Sequence, residues 1–357
     1  MRPLFRLSLP LLAFGAVAAQ TTPPAPEVPL SLNLPEGALV APGPAPDLEL
    51  LYTGDVIGYL EDCGCKMNPA GGLARRAWLV NQIRTNYPET PIVLLDAGNF
   101  SDNPTEKGDI RTSALLREMV NLGYKAVSIG DRDLTMGYDD LAKRTEGVPL
   151  QFLSTNIVTQ GTTDPVYAPY AIVEAKGKDG KPVRVGVMGV IRFSPVWQKS
   201  GPKGTNLALA PVVEMVKRYY PEVRAKSDIV VLLASLAKDD VHEIAKQLPD
   251  LDMIVGNYGG IFSGKEEREG KVAIYYTGNQ GKRVGESRIT LDPSHHPSDI
   301  RTYMHFLTAN YPSDRAMADR IAALAPAKPT AEGEDAKPHP VKLSPKSGLQ
   351  PSPPGSN

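Results

Sequence analysis

The chain has 357 residues, 41% hydrophobic and 22% charged, the balance of a protein that buries a core rather than of a disordered or fibrous one. Its 39 Lys and Arg offset 40 Asp and Glu to a net charge of −1, which argues against electrostatic capture of a nucleic-acid polymer or an anionic membrane.

Arg2 and Arg6 precede an apolar run from Leu7 to Ala19 that is too short to span a bilayer. It ends in Ala16-Val17-Ala18-Ala19, the small-residue pattern of a cleaved export signal. The chain is therefore expected in the periplasm or outside the cell after loss of residues 1–19, and no later apolar run predicts a membrane span. Both cysteines would then meet an oxidising compartment. Residues 20–47 are rich in proline and read as a linker, and 326–357 read as a disordered tail. The folded part is expected over 48–293, with one or two closing helices over 294–325.

Inside it, short β-branched runs that end in Gly or Asp alternate with longer stretches of helical period. Strands are predicted at Leu48–Tyr52, Ile92–Asp96, Ala126–Ile129, Gln151–Ser154, Ile229–Ala234 and Met253–Val255. Helices are predicted at Leu73–Thr85, Thr112–Leu122, Ala210–Ala225 and Asp240–Gln247. Two stretches read as antiparallel meander: Ala171–Val190, turning at Lys178-Asp179-Gly180-Lys181, and Val272–Leu291, turning near Asn279-Gln280-Gly281. The expected product is an α/β fold, a four-layer α-β-β-α sandwich with two mixed sheets. Ligands of such folds sit beyond the carboxyl ends of the strands, which directs attention to Thr53-Gly54-Asp55, Asp96-Ala97-Gly98-Asn99, Gly130-Asp131-Arg132-Asp133, Ser235 and Gly256-Asn257-Tyr258-Gly259.

With those residues in that order, the sequence resembles the calcineurin-like metallophosphoesterases, in particular their exported 5'-nucleotidase branch. The resemblance covers roughly residues 48–292, through LYTGDVIG, GGLARRA, PIVLLDAGN, NLGYKAVSIGDRDLTMGYDDL, LSTNI, VRVGVMGV, DIVVLLAS, LDMIVGN and TGNQGKRVGESRITLD. It implies a pair of metal ions whose bridging water attacks phosphorus. Carried over position by position, the ligand pattern is degraded. The first aspartate is Asp55, but the histidine two residues on is Ile57. The bridging aspartate is Asn99, and the Asn-His-Glu motif reads Asp131-Arg132-Asp133. One histidine is replaced by Ser235, and the final Gly-His-x-His by Gly256-Asn257-Tyr258-Gly259. The chain's five histidines are His242, His295, His296, His305 and His339, none expected at a strand end. Asp55, Asn99, Asp131, Ser235 and Asn257 offer oxygen alone, a donor set for a hard divalent cation, magnesium or calcium, or for no ion at all. Arg132, where the resemblance has a catalytic histidine, is expected to act with Asp131, either holding a phosphate or neutralising Asp55 and Asp131. Asp133, Tyr258 and Arg75 complete the candidate ligand-binding residues. The same Asp131 and Asp133 also suit Asx turns and helix caps.

Cys63 and Cys65 lie in YLEDCGCKMNPAGGLARRA, a loop after the first strand that is expected to reach the cleft. A subgroup of exported nucleotidase-like proteins carries a similar Cys-Gly-Cys element before Gly-Gly-Leu-Ala-Arg-Arg-Ala, and this chain is similar to it. A redox-active pair, a static clip and a soft-metal site all remain open for these cysteines, with Lys66, Arg75 and Arg76 able to favour a thiolate if they approach. Gly71-Gly72 suits either a plain helix start or an anion-binding one, and Trp78 is expected in the core. The leading expectation is a nucleotidase-like protein with a degenerate metal site that does not act as a phosphatase. An oxygen-ligated phosphoester hydrolase and an envelope scaffold or binding protein are the alternatives. Partners would be a small phosphorylated ligand or another envelope protein.

Overall fold

β1 (Leu48–Thr53), β9 (Ile229–Ser235) and β10 (Met253–Gly256) are buried at every residue, as strands covered on both faces must be. A computed structural model describes residues 38–135, 137–192 and 206–324. The expected export signal, most of the expected proline-rich linker and the expected tail fall outside the described residues.

One six-stranded sheet runs in the order β14 (Pro297–Phe306), β13 (Arg283–Leu291), β1, β2 (Ile92–Asp96), β3 (Tyr124–Ser128) and β4 (Gln151–Leu153). A second runs β11 (Glu267–Glu269), β12 (Val272–Tyr276), β10, β9, β7 (Pro182–Ile191) and β6 (Tyr170–Lys176), and β5 (Ile157–Thr159) pairs with β8 (Leu207–Leu209) apart from both. Leu48, Leu50, Tyr52, Val93 and Leu95 meet Val185, Val187, Val231, Leu233 and Val255 between the sheets. On the outer face of the first sheet lie α1 (Leu73–Asn86), α2 (Glu106–Leu122), α3 (Tyr138–Thr145) and α6 (Arg315–Ala322). The second sheet is covered by α4 (Val212–Ala225) and α5 (Lys238–Gln247). The expected four-layer sandwich with two mixed sheets is therefore present.

Two local expectations fail for identifiable reasons. The stretch 272–291 is no hairpin: β12 runs parallel to β10 in one sheet, whereas β13 runs antiparallel to β1 in the other. The turn at 279–281 instead carries the chain across the sandwich, with Gln280 and Gly281 both at positive φ. Nor are residues 298–325 all helical. Pro297–Phe306 is a strand, β14, paired with β13, because buried Ile300 and Thr302 alternate with half-buried Asp299 and exposed Arg301 at a period of two. His305 thus lies near a strand end, not on a helix. α2 begins at Glu106, six residues earlier than predicted, because Thr105 accepts the Gly108 N–H and caps it. At the other end of the fold, residues 38–46 are packed rather than free. Ala41 is buried, its carbonyl accepts from Arg288 at 2.6 Å, and the Pro46 carbonyl accepts from Thr90 at 3.0 Å.

Candidate functional site

The carboxyl ends of the two sheets meet through Asn257. Its Nδ2 donates to the Ala97 and Gly98 carbonyls, each at 2.8 Å, from the β10 end to the β2 end. Gly54 is required where they converge, since a Cβ there would stand 2.8 Å from the Asn257 Cβ and 3.0 Å from that of Ala97. Asp55, Ile57 and Asn99 all adopt left-handed backbone, at φ 52, 49 and 59 degrees. For Ile57, β-branched, that conformation is unfavourable. Ile57 stands at the position where the resemblance has a histidine.

Asp55 and Asn99 share a side-chain hydrogen bond, and Arg132, Asp131 and Asp133 act on Asp55 electrostatically. Burial pushes the Asp55 carboxyl up to about 7, with Asn99 and Arg132 pulling the other way. Asn99 Oδ1 accepts the Arg132 backbone N–H at 3.0 Å. Asp133 accepts three backbone N–H groups, from Asn99, Ser101 and Gly130, each at 2.8 Å. Even so, burial leaves its pKa at about 7. Asp133 is thus the post that ties the β2 loop to the β3 loop. The Arg132 guanidinium donates to the Ser101 carbonyl at 3.1 Å and to Asn103 Oδ1 at 2.7 Å. Those bonds direct it along the β2 loop. Ser235 and Asn257 end neighbouring strands, and Ser235 Oγ and Asn257 Oδ1 are buried without a hydrogen-bond partner. Tyr258 follows, half-buried.

Underneath, Asp96 accepts from Thr53 Oγ1 at 2.6 Å and from the Gly98 N–H at 2.9 Å, and burial raises its pKa. Thr53 also bonds Tyr124 Oη at 2.9 Å, and Arg76 Nη1 donates to that hydroxyl at 3.3 Å. Arg76 is fully buried, and its Nε and Nη2 have no partner. It reaches into the core at Tyr124. Sequence reasoning missed this supporting chain, because its members come from four separate elements with no shared spacing.

The residues present do not fit a two-metal hydrolytic centre. No group of three or more His, Cys, Asp or Glu side chains among the described residues is placed to hold a metal ion. Imidazole is absent here: His305, the histidine nearest a strand end, faces away with Nε2 2.5 Å from Glu286 and Nδ1 3.0 Å from Tyr311. His242 lies on α5 between Glu267 and Glu269.

The Cys63 and Cys65 sulfurs lie at disulfide distance, with Cα atoms 5.4 Å apart. The loop that carries them is closed at its base by backbone: Asp62 bridges Gly71, and the Cys63 N–H donates to Ala70 at 2.9 Å. Arg75 adds bonds to the Gly71 carbonyl at 3.0 Å and to Asp62 at 3.4 Å. Asp62, Gly72 and Arg75 face Ala318 and Ile321 of α6 across a cavity of about 260 Å³. The N–H groups of Gly71 and Leu73 donate to Leu307 and Leu60. Trp78 packs edge-on to Tyr311.

Two mixed sheets sandwiched between helices, with loops converging at one edge, define a calcineurin-like phosphoesterase fold. The structure matches the calcineurin-like phosphoesterase YfkN of Bacillus subtilis with a TM-score of 0.65 at 20% identity, over 79% of this chain and 97% of that one. It matches the sulfate thiohydrolase SoxB of Thermus thermophilus with a TM-score of 0.69 at 18% identity, over 80% of this chain and 61% of that one. In sequence, the chain is 27% identical over 246 residues to a 2',3'-cyclic-nucleotide 2'-phosphodiesterase/3'-nucleotidase of Salmonella typhimurium, which covers 62% of this chain and 38% of the relative. It thus spans little more than a third of that relative's length. No protein-family model matches the chain. The chain has the calcineurin-like phosphoesterase fold, and its sequence relatives include 5'-nucleotidases and 2',3'-cyclic-nucleotide phosphodiesterases. No helix among the described residues is long and apolar enough to cross a membrane.

Proposed function

We propose that this is an exported metallophosphoesterase-like protein whose cleft binds a small phosphorylated ligand without two-metal hydrolysis. One observation carries the reading: the side-chain oxygens of the loops after β2 and β3 are spent on the protein itself. Asn99 Oδ1 accepts from Arg132, and the Asp133 carboxylate accepts from three backbone N–H groups. Metal content of protein purified from the cell envelope without chelator tests it. About two atoms of manganese, iron or zinc per chain would overturn the reading, since two-metal catalysis needs them; less than a tenth of an atom, as an order of magnitude, is the expected result.

A second reading, hydrolysis through oxygen ligands, is favoured by the partnerless Ser235 Oγ and Asn257 Oδ1 at the ends of β9 and β10. Release of phosphate from nucleotides or aryl phosphates in magnesium, calcium or manganese, lost in Asp55→Ala, would establish it in place of the first.

Cys63 and Cys65 serve, in this proposal, as a reversibly oxidised pair rather than a clip. Their loop is already closed by the Asp62–Gly71 bridge, and a link across one residue removes little unfolded-chain entropy. Thiol counting on the folded protein before and after mild reductant decides between the two, with a pair that stays bridged under strong reduction counting as a clip.

A further inference from the structure

Beside the strand-end cluster, the edge of the sandwich carries a cation without an anion. Arg283 opens β13 opposite Phe306, the last residue of β14. Its guanidinium carbon lies 3.7 Å from the ring centroid of Phe262 and 4.4 Å from that of Phe306. Phe262 comes from the β10–β11 loop, which bridges to Thr277 just past β12. The three side chains therefore join both sheets at one edge. Stacking on rings occupies the flat surface of a guanidinium and leaves its in-plane N–H groups as the polar surface. No carboxylate or carbonyl among the described residues accepts from those groups of Arg283. Burial lowers its pKa, as expected for a cation drawn from water with no counter-charge.

A purely structural stack would hide its rings, yet Phe262 is 50% exposed. Asn279, on the same rim and close to Gly260, makes no side-chain hydrogen bond among the described residues. We propose that Phe262, Asn279 and Arg283 form a binding site for a small planar aromatic molecule that carries an oxyanion. The ring stacks on the exposed side of Phe262, and the oxyanion takes the forked N–H groups of Arg283, an arrangement that suits phosphoryl and carboxylate oxygens alike. The site stands apart from the proposed cleft function, although the Gln280 N–H that bonds the Asp55 carbonyl at 2.7 Å joins the two regions through one loop.

Titration of the full chain in chelating buffer with phenylphosphonate, methylphosphonate and benzyl alcohol, followed by calorimetry, tests this. Phenylphosphonate should bind about tenfold more tightly than either fragment, the worth of one ring stack or one charge-assisted contact. Phe262→Ala and Arg283→Gln should each weaken it about tenfold, and Phe262→Tyr should retain it. The exposed Phe262→Ala variant keeps the measurement decisive if Arg283→Gln fails to fold. Undiminished binding in Phe262→Ala or no saturable binding at all would each overturn the proposal; the first would assign the ligand to the strand-end cleft.

Discussion

Asp133 is a carboxylate held by backbone: three N–H groups converge on it at 2.8 Å. Asp133→Asn can restore at most part of that set, so it should lower unfolding stability by about 1–3 kcal/mol, the cost of a buried donor left unmet; urea denaturation measures it. Glu49 makes the opposite case. It is fully buried, both its carboxylate oxygens lack a hydrogen bond, and burial with Glu286 pushes it up to about 9 against Arg288 and Lys178. Above its ordinary 4.5 the unfolded chain releases a proton that the folded chain keeps until about 9. The Glu49 contribution is therefore complete below pH 4.5 and is lost as pH rises towards 9. Glu49→Gln should consequently match the parent near pH 4 and melt progressively higher than it towards pH 9, as order-of-magnitude limits of that window. Parallel melting curves across that range would count against a protonated Glu49.

Among the elements, the cysteine loop and the β2–β3 ends differ in how tightly they are built. The loop's backbone closure holds without the sulfurs, so Cys63→Ser with Cys65→Ser should shift the thermal midpoint by about 2 °C or less, well short of a structural bridge. The β3 end tolerates nothing of the kind. A Cβ on Gly130 would fall 2.0 Å from Asn99 Oδ1, and Gly130→Ala should cost about 2 kcal/mol or more as the Asn99–Arg132 bond is forced apart. Wild-type stability in that variant would show that the two loops are not locked together.

For the whole molecule, the absence of imidazole at the strand ends has a global readout. A ligand that binds only the folded state raises its stability in proportion to the logarithm of concentration over Kd. Manganese or zinc should therefore leave the thermal midpoint within about 1 °C of its value in chelator. A rise of several degrees would mean that the oxygens of Asp55, Asp131, Ser235 and Asn257 gather an ion after all.

The alternation of short β-branched runs with helical periods was sufficient to predict the layered α/β fold, because burial on both faces and amphipathic spacing are local properties. Loss of the histidines is equally a property of composition and position, legible at Ile57, Arg132, Ser235 and Asn257. Which sheet each strand joins was decided only in three dimensions. β12 and β13 read alike, and the turn at Gln280 parts them because their partners lie far away in sequence. The same holds for Asp133, Arg76 and Arg283. Hydrogen bonds, missing partners and ring contacts depend on neighbours about 20 to 50 residues away, and no local pattern encodes which side chain will be left without one.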